Sequence, residues 1–191
     1  MAETFWTDVE LEPKRAYKFT LTVAGGEIAL PQFLIKKVSK PSFTISESEH
    51  KYLNHSFWYP GKVTWNTVAF TIADVIGESD GTMALMKMFQ AAGYQYPTNP
   101  AEGKKALETI SKKKAKEALG TVTIRQIDSE GNPVETWRLN NAWFQDVKFG
   151  DLDYDGEDLL NVEVTLRYDS AYIETLKSGG PIPENAPKAG S

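Results

Sequence analysis

The sequence predicts a mostly β fold of the β+α class, with six or seven strands, one flanking amphipathic helix and a long hairpin arm. Three observations carry this. Trp, Tyr and Phe make up 12% of the 191 residues and cluster in alternating stretches, as on half-buried strands. Period-two alternation recurs from segment to segment. One stretch carries the i, i+3, i+4, i+7 stripe of a helix packed on a sheet, formed by Leu85, Met88, Phe89 and Ala92.

Residues 14–23 read as the first strand, with Tyr17, Phe19, Leu21 and Val23 on one face and Lys18, Thr20 and Thr22 on the other. Gly25-Gly26 supplies a hairpin turn, because glycine accepts the positive φ that tight turns demand. A second strand follows through Phe33-Leu34-Ile35. Residues 40–62 alternate Phe43 and Ile45 with Thr44 and Ser46, turn polar through Ser46-Glu47-Ser48-Glu49-His50, and return through Tyr52-Leu53 and Phe57-Trp58-Tyr59-Pro60-Gly61. This is a long hairpin arm that a lone monomer has little reason to keep. Over 62–75, Val63 and Trp65 are odd-numbered while Val68, Phe70 and Ile72 are even, so a β-bulge is expected near Asn66-Thr67.

Ser79 or Asp80 caps a helix over 81–92, and Gly93 ends it. A weaker helix is expected from Ala101 to Leu119, with Leu107, Ile110 and Ala115 on one side. Three more strands follow: Thr121–Asp128, Val134–Trp143 extended to Phe149, and Leu159–Ile173. In the last, Val162, Val164, Leu166 and Tyr168 oppose Asn161, Glu163, Thr165, Arg167 and Asp169. The expected organisation is a single domain over 1–177, with 94–119 as a helical or loop insertion and 178–191 as an extended, linker-like tail.

The hydrophobic share is 41%, enough to build a core, and the net charge is −5. An acidic chain does not grip nucleic acid by neutralising phosphates. The absence of cysteine removes disulfides, thiolate metal sites and a cysteine nucleophile. The start, Met1 to Asp8, has no basic region followed by an apolar run, and no apolar stretch approaches the ~20 residues of a membrane helix. A soluble product made in the cytoplasm, with no membrane anchor, is expected.

Chemistry is sparse. His50 and His55 are the only imidazoles. They are read as solvated or interface side chains rather than a metal pair. Asp151-Leu152-Asp153-Tyr154-Asp155-Gly156 matches the opening of an EF-hand loop, but its twelfth position is Val162, where a bidentate Glu is needed. A turn rich in Asp and Gly is the plainer reading. Lys112-Lys113-Lys114, with Lys104, Lys105 and Lys116, is either a solvated helix face or a docking patch for an acidic surface. No Gly-x-Ser-x-Gly elbow and no phosphate loop is present, so no catalytic, cofactor-binding or metal residue is assigned.

Two stretches carry a resemblance. One runs from Tyr17-Lys-Phe-Thr-Leu-Thr-Val through Phe33-Leu-Ile-Lys-Lys-Val and the arm to Val63-Thr-Trp-Asn-Thr-Val-Ala-Phe-Thr-Ile-Ala-Asp. The other is Trp143-Phe-Gln-Asp-Val-Lys-Phe-Gly-Asp-Leu-Asp-Tyr-Asp followed by Leu160-Asn-Val-Glu-Val-Thr-Leu-Arg-Tyr-Asp. In order and spacing these resemble the tail tube proteins of contractile-tailed bacteriophages, a family similar to the tubes of pyocins and of type VI secretion. The resemblance implies two packed antiparallel sheets in a barrel-like sandwich. It implies a non-catalytic virion subunit whose six-membered rings stack into a tube. The implied partners are further copies, the sheath, baseplate and tail terminator proteins, the tape-measure protein, and DNA passing without sequence-specific binding. On this reading the arm reaches the adjacent ring or subunit through Phe43, Ile45, Glu47, Glu49, His50, Tyr52, His55, Trp58 and Tyr59, while Glu163 and Asp169 are lumen or seam charges. A tube of a phage-derived injection system is one alternative. Another is a carbohydrate-binding sandwich using Trp58, Tyr59, Tyr94 and Tyr96 as stacking platforms.

Overall fold

The computed structural model describes residues 13–25, 28–77, 80–94 and 109–175. Its strands are β1 (Phe19–Gly25), β2 (Ile28–Ala29), β3 (Ile35–Val38), β4 (Phe43–Tyr52), β5 (His55–Trp65), β6 (Val68–Ala73), β7 (Thr121–Ile127), β8 (Pro133–Asn140), β9 (Trp143–Lys148), β10 (Asn161–Arg167) and β11 (Ser170–Thr175). The helices are α1 (Gly81–Ala91) and α2 (Lys112–Leu119). One sheet has the order β11-β8-β7-β1-β2, a second β3-β6-β10-β9, and β4-β5 stand apart as a two-stranded arm. All pairings among the described strands are antiparallel. The two larger sheets pack as a sandwich and do not close into a barrel within one copy.

The core follows the alternation. Leu21, Val23, Val122, Ile124 and Leu139 face it from the first sheet, and Phe70, Ile72, Val162, Val164 and Leu166 from the second. Burying each such side chain stabilises by roughly 1.5–3 kcal/mol. A one-residue slip would turn the whole set outwards, so the pattern fixes the register. Leu85 and Met88 of α1 and Leu119 of α2 join the same cluster. Asp80 caps α1 by accepting from the Met83 amide, and Ser111 caps α2 by accepting from the Lys114 amide.

Several expectations change. β1 starts at Phe19, after a turn closed by the Lys18 amide on the Arg15 carbonyl, so Tyr17 is exposed rather than in line with Leu21. No strand runs through Phe33. Pro31 opens a 3-10 turn over Gln32–Leu34 that drops Leu34 into the core, and β3 begins only at Ile35. The expected helix over 101–119 is α2 alone among the described residues, since 101–108 lie outside them. Gly26, Ser79, Tyr96, Lys104, Lys105, Leu107 and the tail 178–191 also lie outside.

The two long C-terminal strands each break in the middle. Asn141, at φ 53, turns the chain from β8 in one sheet to β9 in the other, and Tyr168-Asp169 carries it from β10 back to β11. The two corners are tied together. The Asp169 amide donates to the Asn140 carbonyl, Asn141 Nδ2 to Asp169 Oδ2, and Asn140 Nδ2 to Ser170 Oγ. The core-facing parity changes at both corners, from Leu139 to Ala142 and from Tyr168 to Ala171, but each change spans so few residues that the sequence reads each pair as one strand.

Candidate assembly surface

The arm is an antiparallel hairpin in which Phe43 pairs Trp65, Ile45 pairs Val63, Glu49 pairs Trp58, His50 pairs Phe57 and Tyr52 pairs His55. A register shift lies between Ile45 and Glu47, where Gly61 and Lys62 together oppose Ser46. This bulge is a separate feature; the one expected near Asn66-Thr67 is not there, because the parity switch between Trp65 and Val68 falls where β5 ends in the arm and β6 begins in the second sheet. Ser46 Oγ accepts the Lys62 amide, and a side chain at 61 would meet that oxygen at 2.4 Å, so a residue larger than glycine there would push the Ser46 hydroxyl off its bond to Lys62. The bulge brings even-numbered Trp58 onto the same face as Val63 and Trp65.

Cross-strand partners share a face, so the arm has two distinct surfaces. One carries Phe43, Ile45, Glu47, Glu49, Trp58, Pro60 and Val63. The other carries Ser48, His50, Tyr52, His55, Phe57 and Tyr59. Every residue from Phe43 to Thr64 is exposed, including Trp58 (58%) and Leu53 (86%) at the tip. A two-stranded hairpin with water on both faces is marginal at best. Exposed aromatics in this number mark a surface that is covered by something else.

The arm is gripped at its base. Trp65 stands edge-on to Phe43 with ring centroids 5.5 Å apart, and 6.0 Å from the ring of buried Tyr168. Burial pushes the Tyr168 hydroxyl above the ordinary tyrosine value. A cleft of about 610 Å³ opens beside this base, between Trp65, Trp143, Lys112 and Asp169.

Glu135, which sequence reasoning missed, organises a second region. It lies on the core-facing side of β8 with Trp137 and Leu139 and is almost fully buried. Lys14 Nζ, Lys40 Nζ (2.8 Å) and the Trp137 indole N–H all donate to it. Burial alone would raise its pKa, but these donors overcome that and hold the carboxyl at about 2. The signal was present in the sequence: an acid in phase with the apolar residues of a strand needs a buried partner.

Glu163 is exposed on β10, opposite Thr71 of β6 and Lys148 of β9. Asp169 is committed within the fold. Lys112 of α2 (2.6 Å) and Asn141 hydrogen-bond to it and hold its carboxyl below the usual range. Lys112 therefore ties its helix to the corner between the sheets. The suggested sugar platforms do not come together, since Trp58 and Tyr59 lie on opposite faces of the arm and Tyr94 stacks on Phe89 with centroids 4.7 Å apart. His50 and His55 share one face of the arm, and among the described residues no group of three His, Asp or Glu side chains is arranged to hold a metal. In the 151–156 loop the Asp153 carboxylate accepts the Asp155 amide, as in a plain Asx turn.

Outside the arm, each sheet of the sandwich ends in edge strands, β11 and β2 on the first and β3 and β9 on the second. Such edges offer unpaired backbone groups to another chain.

The sequence model of the family described as T4-like virus tail tube protein gp19 matches residues 15–171. Among solved structures, the fold is similar to that of a chain in the tube-terminating cap of the anti-feeding prophage. The identity is 17%, over 92% of this chain and 100% of that one, with a TM-score of 0.62. It is also similar to a chain in the extended sheath-tube complex of PVC, an extracellular contractile injection system, at 19% identity over 88% and 95% of the two chains and a TM-score of 0.59. A comparison with curated proteins gives no match.

Proposed function

The chain belongs to the T4-like virus tail tube protein family, and from that membership we propose that its copies close into six-membered rings that stack into the tube of a contractile tail or of a related injection device. One observation carries the stacking: an arm exposed on both faces from Phe43 to Thr64, whose aromatic residues have no cover among the described residues. We assign that cover to the adjacent ring or subunit, with Phe43, Ile45, Glu47, Glu49, His50, Tyr52, His55, Trp58 and Tyr59 as contacts. The protein works by assembly and carries out no reaction.

The lumen conducts DNA and a tape-measure protein. The net charge of −5 supports passage without adhesion, because like charge keeps phosphates from binding. Glu163, exposed among Thr71, Thr165 and Ala69 on the outer face of the second sheet, is our candidate for the lumen wall. Asp169, held by Lys112 of α2, is our candidate for a charge at the seam between copies. The outer partners are a sheath, a baseplate and a terminator, in keeping with the sheath-tube and cap assemblies in which the similar chains were solved. The site of action is the tail of a virion or virion-like particle.

Negative-stain microscopy of the purified protein, with a baseplate-like nucleus added, tests this reading. Rings or tubes of one fixed diameter are expected. A clean monomer under those conditions would sink it.

A further inference from the structure

The loop between β9 and β10 carries five carboxylates and no cation over residues 149–160: Asp151, Asp153, Asp155, Glu157 and Asp158. Between them it holds out Leu152 (89% exposed) and Tyr154 (108%). Among the described residues none covers these two side chains, and acids flank both. On the opposite side of the second sheet, beside edge strand β3, lies a groove of about 710 Å³. Phe19, Ile124 and Trp137 line it from the sandwich, and Lys36, Lys37 and Arg125 line it as well. Glu135, next to Trp137, adds no free negative charge, being neutralised by Lys14 and Lys40.

The loop and the groove match in charge and in apolar content, and they lie on different surfaces. Complementary surfaces at different places on one molecule make a head-to-tail contact, the kind that closes rings. Topology adds a condition, and the fold meets it. The sheet order β3-β6-β10-β9 sets the loop's hairpin at one edge and the groove at the other. Register pairs Ile35 with Ile72 and Ile72 with Val162, so the loop leaves the sheet at the level where β3 begins. Side-by-side copies related by a rotation would bring the two to the same height.

We propose that the acidic loop 149–160 of each copy docks in the lysine-rimmed groove beside β3 of the next copy, with Leu152 and Tyr154 entering it. This rests on the ring reading above and names its contact surfaces.

A charge exchange on the full-length chain tests it. One variant exchanges two acids of the loop for lysine (Asp151→Lys with Asp155→Lys) and the other two lysines of the groove for acids (Lys36→Glu with Lys37→Glu). These positions are exposed, and neither Lys14 nor Lys40 is touched. Each variant alone removes most of the charge complementarity at every contact, the loop going from −5 to −1 or the groove exchanging two lysines for acids, and should lower the ring population about tenfold or more at low salt. Mixed in equal amounts, the two should recover assembly, because an alternating ring makes every loop–groove pair complementary again. Circular dichroism checks that each variant folds, and the neutral pairs Asp151→Asn/Asp155→Asn and Lys36→Gln/Lys37→Gln replace any that does not, with weakened assembly expected. Wild-type assembly with either variant undiminished, or with no recovery on mixing, overturns the docking and leaves the ring standing. A wild-type chain that never assembles overturns both.

Discussion

Glu135 is a residue whose neighbours decide its meaning. On the core-facing side of β8, an unpaired carboxylate would be expelled or protonated. Lys14, Lys40 and Trp137 keep it charged, joining the segment before β1, the connector after β3 and β8 at one point. Its folded pKa of about 2 lies below the free value of 4.5. Its stabilisation is therefore fully present above about pH 4.5 and is lost as pH falls towards 2. Glu135→Gln should cost on the order of 2 kcal/mol at pH 7, with the deficit shrinking below pH 4. Urea titrations of both proteins at several pH values measure it, and a deficit unchanged between pH 7 and pH 3 would refute the charge as its source.

At the scale of elements, the arm and the sandwich are physically separate problems. The sandwich buries its strands on both inner faces, whereas the arm contributes only its base, through Trp65 against Tyr168. Deleting residues 46–58 removes no buried side chain. The monomer should keep its thermal transition and its circular dichroism spectrum apart from the lost hairpin, while stacking of rings disappears. Stacked tubes from the deleted chain would show that the arm is not the inter-ring element. The helices answer to a different constraint. α2 lies against β1 and β9, and the Lys112–Asp169 bond fixes it beside the corner where the chain changes sheets.

For the whole molecule, charge and edges govern behaviour. With −5 overall, the isolated protein should give no measurable binding to short duplex DNA by fluorescence anisotropy at physiological salt. Tight binding would contradict a lumen through which DNA slides. How much of this was legible follows from what a pattern encodes. The alternation of Leu21 with Val23, of Phe70 with Ile72, and of Val162, Val164 and Leu166 set the core faces, because side chains on a strand point to opposite sides in turn. The helix stripe and its Asp80 cap were equally local, and so was the excess of exposed aromatics in the arm. The corners at Asn141 and Asp169 were not legible, since each change of phase spans only a few residues between two strands of like composition. The bulge within the arm depends on which residue of β4 faces Gly61. The Glu135 cluster joins residues 14, 40 and 135, and the loop and groove lie at opposite edges of one sheet. The sequence by itself determined the main core faces of the sandwich and the exposed aromatic character of the arm, because these follow short-range periodicity. The tertiary structure alone decided which distant charges meet and which edges lie open, because those depend on the order of strands in a sheet, which no local pattern records.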